Sequence, residues 1–131
     1  MKALDTSALL ALLHEGKGTR ELVRRLRGIE VVTTELNLLE LHSLVMRAPP
    51  KSRAGRRAAI DRLRRSLTVL PYDGQSADRL SRRAARESWG GVPPLLLGTL
   101  AILEANGCEE LITVDPGAIP GKWQFRVTKF G

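Results

Sequence analysis

The sequence predicts an α/β fold, a three-layer α/β/α sandwich built on a small parallel sheet, and two observations carry that prediction. Short β-branched or apolar runs alternate with helix-length segments from one end of the chain to the other. Those runs are too apolar to leave one face in water, as expected of strands covered by helices on both sides. The 131 residues suit one domain, residues 1–131, with no linker long enough to divide it.

Each element follows from its own residues. "MKALD" reads as a short strand and "TSALLALLH" as a helix that Thr6 or Ser7 can cap, broken at Gly16 and Gly18. "TRELVRRLRG" predicts a helix capped by Thr19 and stopped by Gly28. "IEVVTT" is β-branched and short, hence a strand. A helix over residues 34–47 ends before Pro49 and Pro50, and another runs from about Ser52 to Leu67. "LTVLPYD" is strand then turn, "SADRLSRRAARES" a helix, and "GGVPP" a loop. "LLLGTLAILEAN" is a strongly apolar helix, "ELITVD" a strand, and "QFRVTKF" a last strand after a turn-rich stretch.

Composition narrows the function classes. No apolar stretch reaches the roughly 18 residues of a membrane span, so no membrane association is expected. "MKALDTSALLALLHEG" is rejected as a secretory signal because Asp5 interrupts its apolar run. The single cysteine, Cys108, cannot form an internal disulfide and suits a reducing, cytoplasmic setting. A net charge of +7 favours polyanions, nucleic acid first, with an attraction that salt weakens.

The acids are the chemical signal. Asp5 ends the first strand and Asp115 ends "ELITV", so a parallel sheet brings both to its carboxyl edge, where ligands of such sheets bind. The helix from Thr34 is apolar at Leu36, Leu38, Leu39, Leu41, Leu44, Val45 and Met46. Its narrow polar stripe is Glu40, Ser43 and Arg47, which should open into a cavity or onto the rim. Two carboxylates about 4 Å apart repel by about 4 kcal/mol at an effective dielectric of about 20. Three together therefore imply a cation among them or protons on them. Oxygen ligands without a Cys/His set favour Mg²⁺ or Mn²⁺ over Zn²⁺. His14 and His42 have no ligand spacing and read as helix-surface residues.

These residues resemble the PIN domain family along nearly the whole chain, through "ALDTSALLALL", "VTTELNLLEL" and "ANGCEELITVD". The resemblance implies a small parallel sheet between helices and Mg²⁺- or Mn²⁺-dependent hydrolysis of RNA. It also implies a toxin of a toxin–antitoxin pair, commonly dimeric and held inactive by a small partner protein. It makes Asp5, Glu40 and Asp115 the metal ligands and catalytic acids, with Ser7 and Thr113 supporting them. One feature departs from the family: its further aspartate, at the start of the late helix, would fall at Pro94, Leu95 or Leu96, none of which binds a metal. Glu104 sits about nine helical residues away, roughly 14 Å, too far to replace it. Glu87 and Asp78 could swing in only by an unusual path. With three acids, one cation is held weakly, and the alternative is a PIN-like domain that binds RNA or protein without cutting.

Two arginine faces are the candidate nucleic-acid contacts: Arg53, Arg57 and Arg64 on one helix, and Arg79, Arg82, Arg83 and Arg86 on another. Between Arg47 and Arg86 there are 12 basic residues and 3 acids, more excess than a solvated stripe needs. Trp89 and Trp123 flank turns and are expected to pack rather than to stack on bases. The low aromatic content argues against sequence-specific reading of RNA. A phosphoryl-transfer domain with Asp5 as acceptor is a further alternative, disfavoured because Ser7 stands where a second aspartate belongs.

Overall fold

The computed structural model describes residues 1–130. In chain order the elements are β1 (Lys2–Leu4), α1 (Thr6–Leu13), α2 (Thr19–Leu26), β2 (Val31–Thr34), α3 (Glu35–Met46) and α4 (Pro50–Arg65). After these come β3 (Thr68–Leu70), α5 (Gly74–Ala84), α6 (Pro94–Ala105), β4 (Glu110–Thr113), a 3₁₀ turn (Pro116–Ala118) and β5 (Arg126–Lys129). The sheet has the order β3-β2-β1-β4-β5, and every neighbouring pair is parallel. The expected α/β sandwich with a parallel sheet is the architecture found.

Strand alternation divides the apolar interior into two cores. On one face Leu4 and Ile112 pack with Leu9, Leu38, Leu41 and Ile60. On the other, Ala3 and Leu111 pack with Val32, Leu100, Ile102, Leu103 and Phe125. Adjacent residues of one strand thus serve opposite layers. Because β1 lies between β2 and β4, the chain segments that leave their carboxyl ends, at Asp5, Glu35 and Val114, emerge side by side.

Several helix starts differ from expectation, each for a local reason. Asp5, rather than Thr6 or Ser7, caps α1, its Oδ1 accepting from the Ala8 N–H at 3.0 Å. An ionised carboxylate is the stronger acceptor there, and it suits the positive end of the helix dipole. Thr19 is not a cap: Gly18 precedes α2 with φ 88°, and the Thr19 hydroxyl donates back to the Gly16 carbonyl at 2.7 Å. Helix α4 starts at Pro50 and α6 at Pro94, where a missing N–H costs nothing. Helix α5 starts earlier than expected, since Asp73 caps it through Ser76. It also stops at Ala84, where the N–H groups of Arg86 and Glu87 both turn to the Arg83 carbonyl.

The strands hold one buried charge. Glu110 opens β4 and is buried, ringed by Lys2 at 3.5 Å, Arg25 at 3.8 Å and Arg126 at 3.6 Å, with the Thr128 hydroxyl donating to it at 3.1 Å. Three cations offset the desolvation of one carboxylate. This cluster occupies the amino edge of the sheet, opposite the acids that matter below.

Candidate active site

At the carboxyl edge two groups of hydrogen bonds, one centred on Ser7 and one on Thr6, hold Asp5 and Glu40. Asp5 is buried just past β1, and its Oδ1 accepts from the Ser7 hydroxyl at 2.6 Å as well as from Ala8 N. Ser7 has one proton, spent on Asp5, so its oxygen accepts from the Val114 N–H at 3.0 Å and from the Thr113 hydroxyl at 3.1 Å. On the other side, the Thr6 hydroxyl lies 3.0 Å from Glu40 Oε1 and 3.1 Å from Asn37 Oδ1. The adjacent residues Thr6 and Ser7 therefore tie β1 to α3 and to β4 respectively.

Asn37 is the residue that sequence reasoning missed. It is buried, donates to the Thr33 hydroxyl at 3.1 Å and to the Leu4 carbonyl at 3.4 Å, and accepts from Thr99 at 3.3 Å. Thr99 also meets Thr34, the cap of α3, at 3.1 Å between hydroxyls. A buried amide with its bonding capacity used in this way fixes the first turn of α3, and with it the position of Glu40 one turn on. The signal was a polar residue between Leu36 and Leu38 in an otherwise apolar turn.

The three acids differ in setting. Asp5 is buried, Glu40 is half-buried and Asp115 is exposed, on the turn that follows β4. Among the described residues, no group of three or more His, Cys, Asp or Glu side chains is gathered to hold a metal ion. Asp5 and Glu40 lie in two separate hydrogen-bonded groups joined through the Thr6–Ser7 backbone, and Asp115 adjoins the Asp5 group through the backbone at Thr113 and Val114. Carboxylate and hydroxyl oxygens are donors that suit a hard divalent cation. The start of α6, Pro94 to Leu96, carries no acid.

Helix α3 is not wetted on a thin strip alone. Leu39 is 55% and Met46 66% exposed, and Leu44 is also open, so a second apolar face looks outward. Ser43 and Arg47 of the expected stripe are exposed, and the Ser43 hydroxyl turns back to the Glu40 carbonyl at 3.0 Å. His14 is exposed and His42 half-buried.

The expected four-arginine helix face is not found whole: Arg86 lies past the end of α5, and Arg79, Arg82 and Arg83 differ in what lies beneath them. Arg79 and Arg83 each reach buried Glu104 of α6 at 3.4 Å, so they are partners of an interior carboxylate rather than open contacts. Arg83 also pairs with Glu87 at 2.9 Å, donates to the Lys122 carbonyl and lies 3.9 Å over the Trp123 ring. Glu104 further accepts from Gln124 N at 2.9 Å, which rules it out as a substitute for the missing acid. Arg82 pairs with Asp78 at the surface, and Arg86 is exposed. On α4, Arg53 donates to the Ala48 carbonyl at 2.9 Å, while Arg57 and Arg64 are exposed. The tryptophans pack as expected: Trp89 stacks on Trp123 and Trp123 on Phe125, each pair 6.1 Å between centroids.

The same fold is found in several solved structures. One is the DNA-bound VapBC of Salmonella typhimurium, with TM-score 0.81 and 19% identity over 99% of this chain and 98% of that one. Another is VapBC2 of Rickettsia felis bound to a promoter DNA fragment, with TM-score 0.82 and 13% identity over 99% and 98%. A third is Mycobacterium tuberculosis VapC20, described as a toxin that cleaves the sarcin–ricin loop, with TM-score 0.66 and 18% identity over 90% and 92%. No curated protein sequence matches the chain significantly. The family model of the PIN domain matches residues 2–117, spanning the acid after β1, the glutamate of α3 and the acid after β4. The chain belongs to the PIN domain family.

Proposed function

We propose that this chain is a toxin-type ribonuclease that hydrolyses RNA phosphodiesters at the carboxyl edge of the sheet. The observation that carries this reading is that adjacent hydroxyls at the start of α1 reach two acids at this edge: Ser7 bonds Asp5 and the β4 end that leads to Asp115, and Thr6 bonds Glu40. PIN-domain nucleases generally use a divalent cation, and here Mg²⁺ or Mn²⁺ is the matching choice. Such an ion, when bound, supplies an activated water and shields the phosphate from the carboxylates. The chain's own part is to hold Asp5 through Ser7 and Ala8, to hold Glu40 through Thr6, and to attract RNA with Arg57, Arg64, Arg82 and Arg86.

The partner in this reading is a small antitoxin protein. An apolar cleft of about 300 Å³ between α1, α3 and α4, lined by Leu10, Leu13, Leu41, Leu44 and Ile60, suits an apolar segment of that protein. The outward Leu39 and Met46 suit a second copy of the chain, giving a homodimer. The compartment implied is the cytoplasm; no described helix is long and apolar enough to cross a membrane.

A second reading is favoured by the apolar start of α6. With Pro94, Leu95 and Leu96 where a further acid is expected, the domain would bind RNA or protein without cutting. Incubation with RNA in Mn²⁺, with EDTA as control, separates the two. Cleavage that stops with EDTA and with Asp5→Asn supports the ribonuclease, and intact RNA in Mn²⁺ supports the silent relative.

A further inference from the structure

We propose that Tyr72 is a platform on which one nucleobase of a bound single-stranded RNA stacks, beside the acidic edge. The inference rests on the RNA reading above and adds the residue that seats the base. Tyr72 is the one exposed aromatic side chain among the described residues, 39% open, while the two tryptophans and two phenylalanines are spent on internal packing. It stands just past β3, on the same carboxyl edge as Asp5 and Glu40.

Its place is fixed by α3 and α6 together. The Tyr72 N–H donates to Glu35 Oε1 at 2.6 Å, fastening the segment to the first turn of α3. A Cβ at Gly98 would stand 3.8 Å from ring atoms Cδ2 and Cε2 of Tyr72, and only 2.5 Å from Leu36 Cδ1. Gly98 therefore lets Leu36 press into α6 and lets the ring lie along the helix. Leu36 is four residues before Glu40, so the two are neighbours on one side of α3. Pro94 and Leu95, where the further acid of the family is expected, lie one turn before Gly98 on α6. The missing carboxylate is thus replaced by an apolar wall that runs from Leu95 past Gly98 and Leu36 to an open aromatic ring.

An apolar wall and ring adjoining a carboxylate edge fit a nucleotide, whose flat apolar face and anionic phosphate are covalently joined. A carboxylate-lined edge without a cation repels phosphate, so a stacked base supplies binding that does not depend on charge. Stacking on one ring accepts any base, which agrees with the scarcity of aromatic residues elsewhere on the surface.

Binding of a mixed-sequence single-stranded RNA hexamer, and of the same backbone with abasic residues, is measured by fluorescence anisotropy in EDTA so that nothing is cut. The wild type should hold the hexamer about five- to hundredfold more tightly than the abasic backbone, and Tyr72→Ala should erase that difference. Tyr72→Phe should keep it. Equal affinity of the wild type for the two probes overturns the inference while leaving the RNA reading in place, and it needs no variant to fold. Equal hexamer binding by the wild type and Tyr72→Ala overturns it as well. Failure of the wild type to bind either probe in EDTA overturns the platform, whereas the RNA reading stands or falls on cleavage in Mn²⁺.

Discussion

The Ser7 hydroxyl donates to the Asp5 carboxylate at 2.6 Å while receiving the Val114 N–H at 3.0 Å, so one side chain joins the end of β1 to the end of β4. Ser7→Ala removes a bond to a carboxylate and strands two donors. Unfolding in urea should show a loss of about 1–2 kcal/mol, with RNA cleavage reduced further than stability. A variant as stable and as active as the wild type would show that the hydroxyl is a bystander.

Asp5 serves both as helix cap and as candidate cation ligand, and two substitutions separate the roles. Asp5→Asn keeps a good capping residue, so its stability without metal should stay within about 1 kcal/mol of the wild type. Asp5→Ala should fall below it. Mn²⁺ should raise the melting temperature of the wild type and of neither variant. The same rise in Asp5→Asn would place cation binding elsewhere.

The arginines on and just after α5 should divide by role. Glu104→Ala leaves Arg79 and Arg83 without their buried partner and should cost about 3 kcal/mol in denaturant unfolding. Paired replacement of exposed Arg82 and Arg86 by glutamine should leave stability within about 0.5 kcal/mol. The same pair should flatten the salt dependence of RNA binding by a slope of about 2. If the pair destabilised the fold as much as Glu104→Ala, the division would be wrong.

Asp73 supplies a pH signature. Hydrogen bonds from the Ser76 backbone and side chain hold its carboxyl below the usual carboxylate range. A depressed folded value means the cap's contribution is present above the ordinary carboxylate pKa and fades as pH falls through the lower, folded one. Melting temperature followed into acid should therefore decline less steeply in Asp73→Ala than in the wild type. Parallel curves would remove Asp73 from the acid limb.

Burial pushes the Cys108 thiol up, and its Sγ faces the carbonyls of Met1 and Glu110. A raised folded value keeps the thiol neutral, and the stability this represents is lost as pH climbs through the thiol range. Labelling by a disulfide reagent near neutral pH should be slow in native protein and fast in urea. Equal rates would contradict the burial.

What the sequence alone determined was local. Helix and strand order followed from periodicity and from Pro/Gly punctuation, because those signals act within a few residues. Asp5 and Asp115 were placed at one edge because strand ends of a parallel sheet share it, whereas Glu40 showed as a polar position on a largely apolar helix. Tertiary structure decided what each surface faces. Arg79 and Arg83 look like their neighbours Arg82 and Arg86 in the sequence, and only the packing of α5 on α6 brings Glu104 under two of the four. Tyr72 and Leu36 both close on Gly98 from separate elements, a closeness no spacing encodes. Asn37 at the centre of the threonine network is likewise a matter of which chains pass beside α3. Periodicity specifies a face, whereas the burial of charge and aromatic surface depends on the segment that covers it.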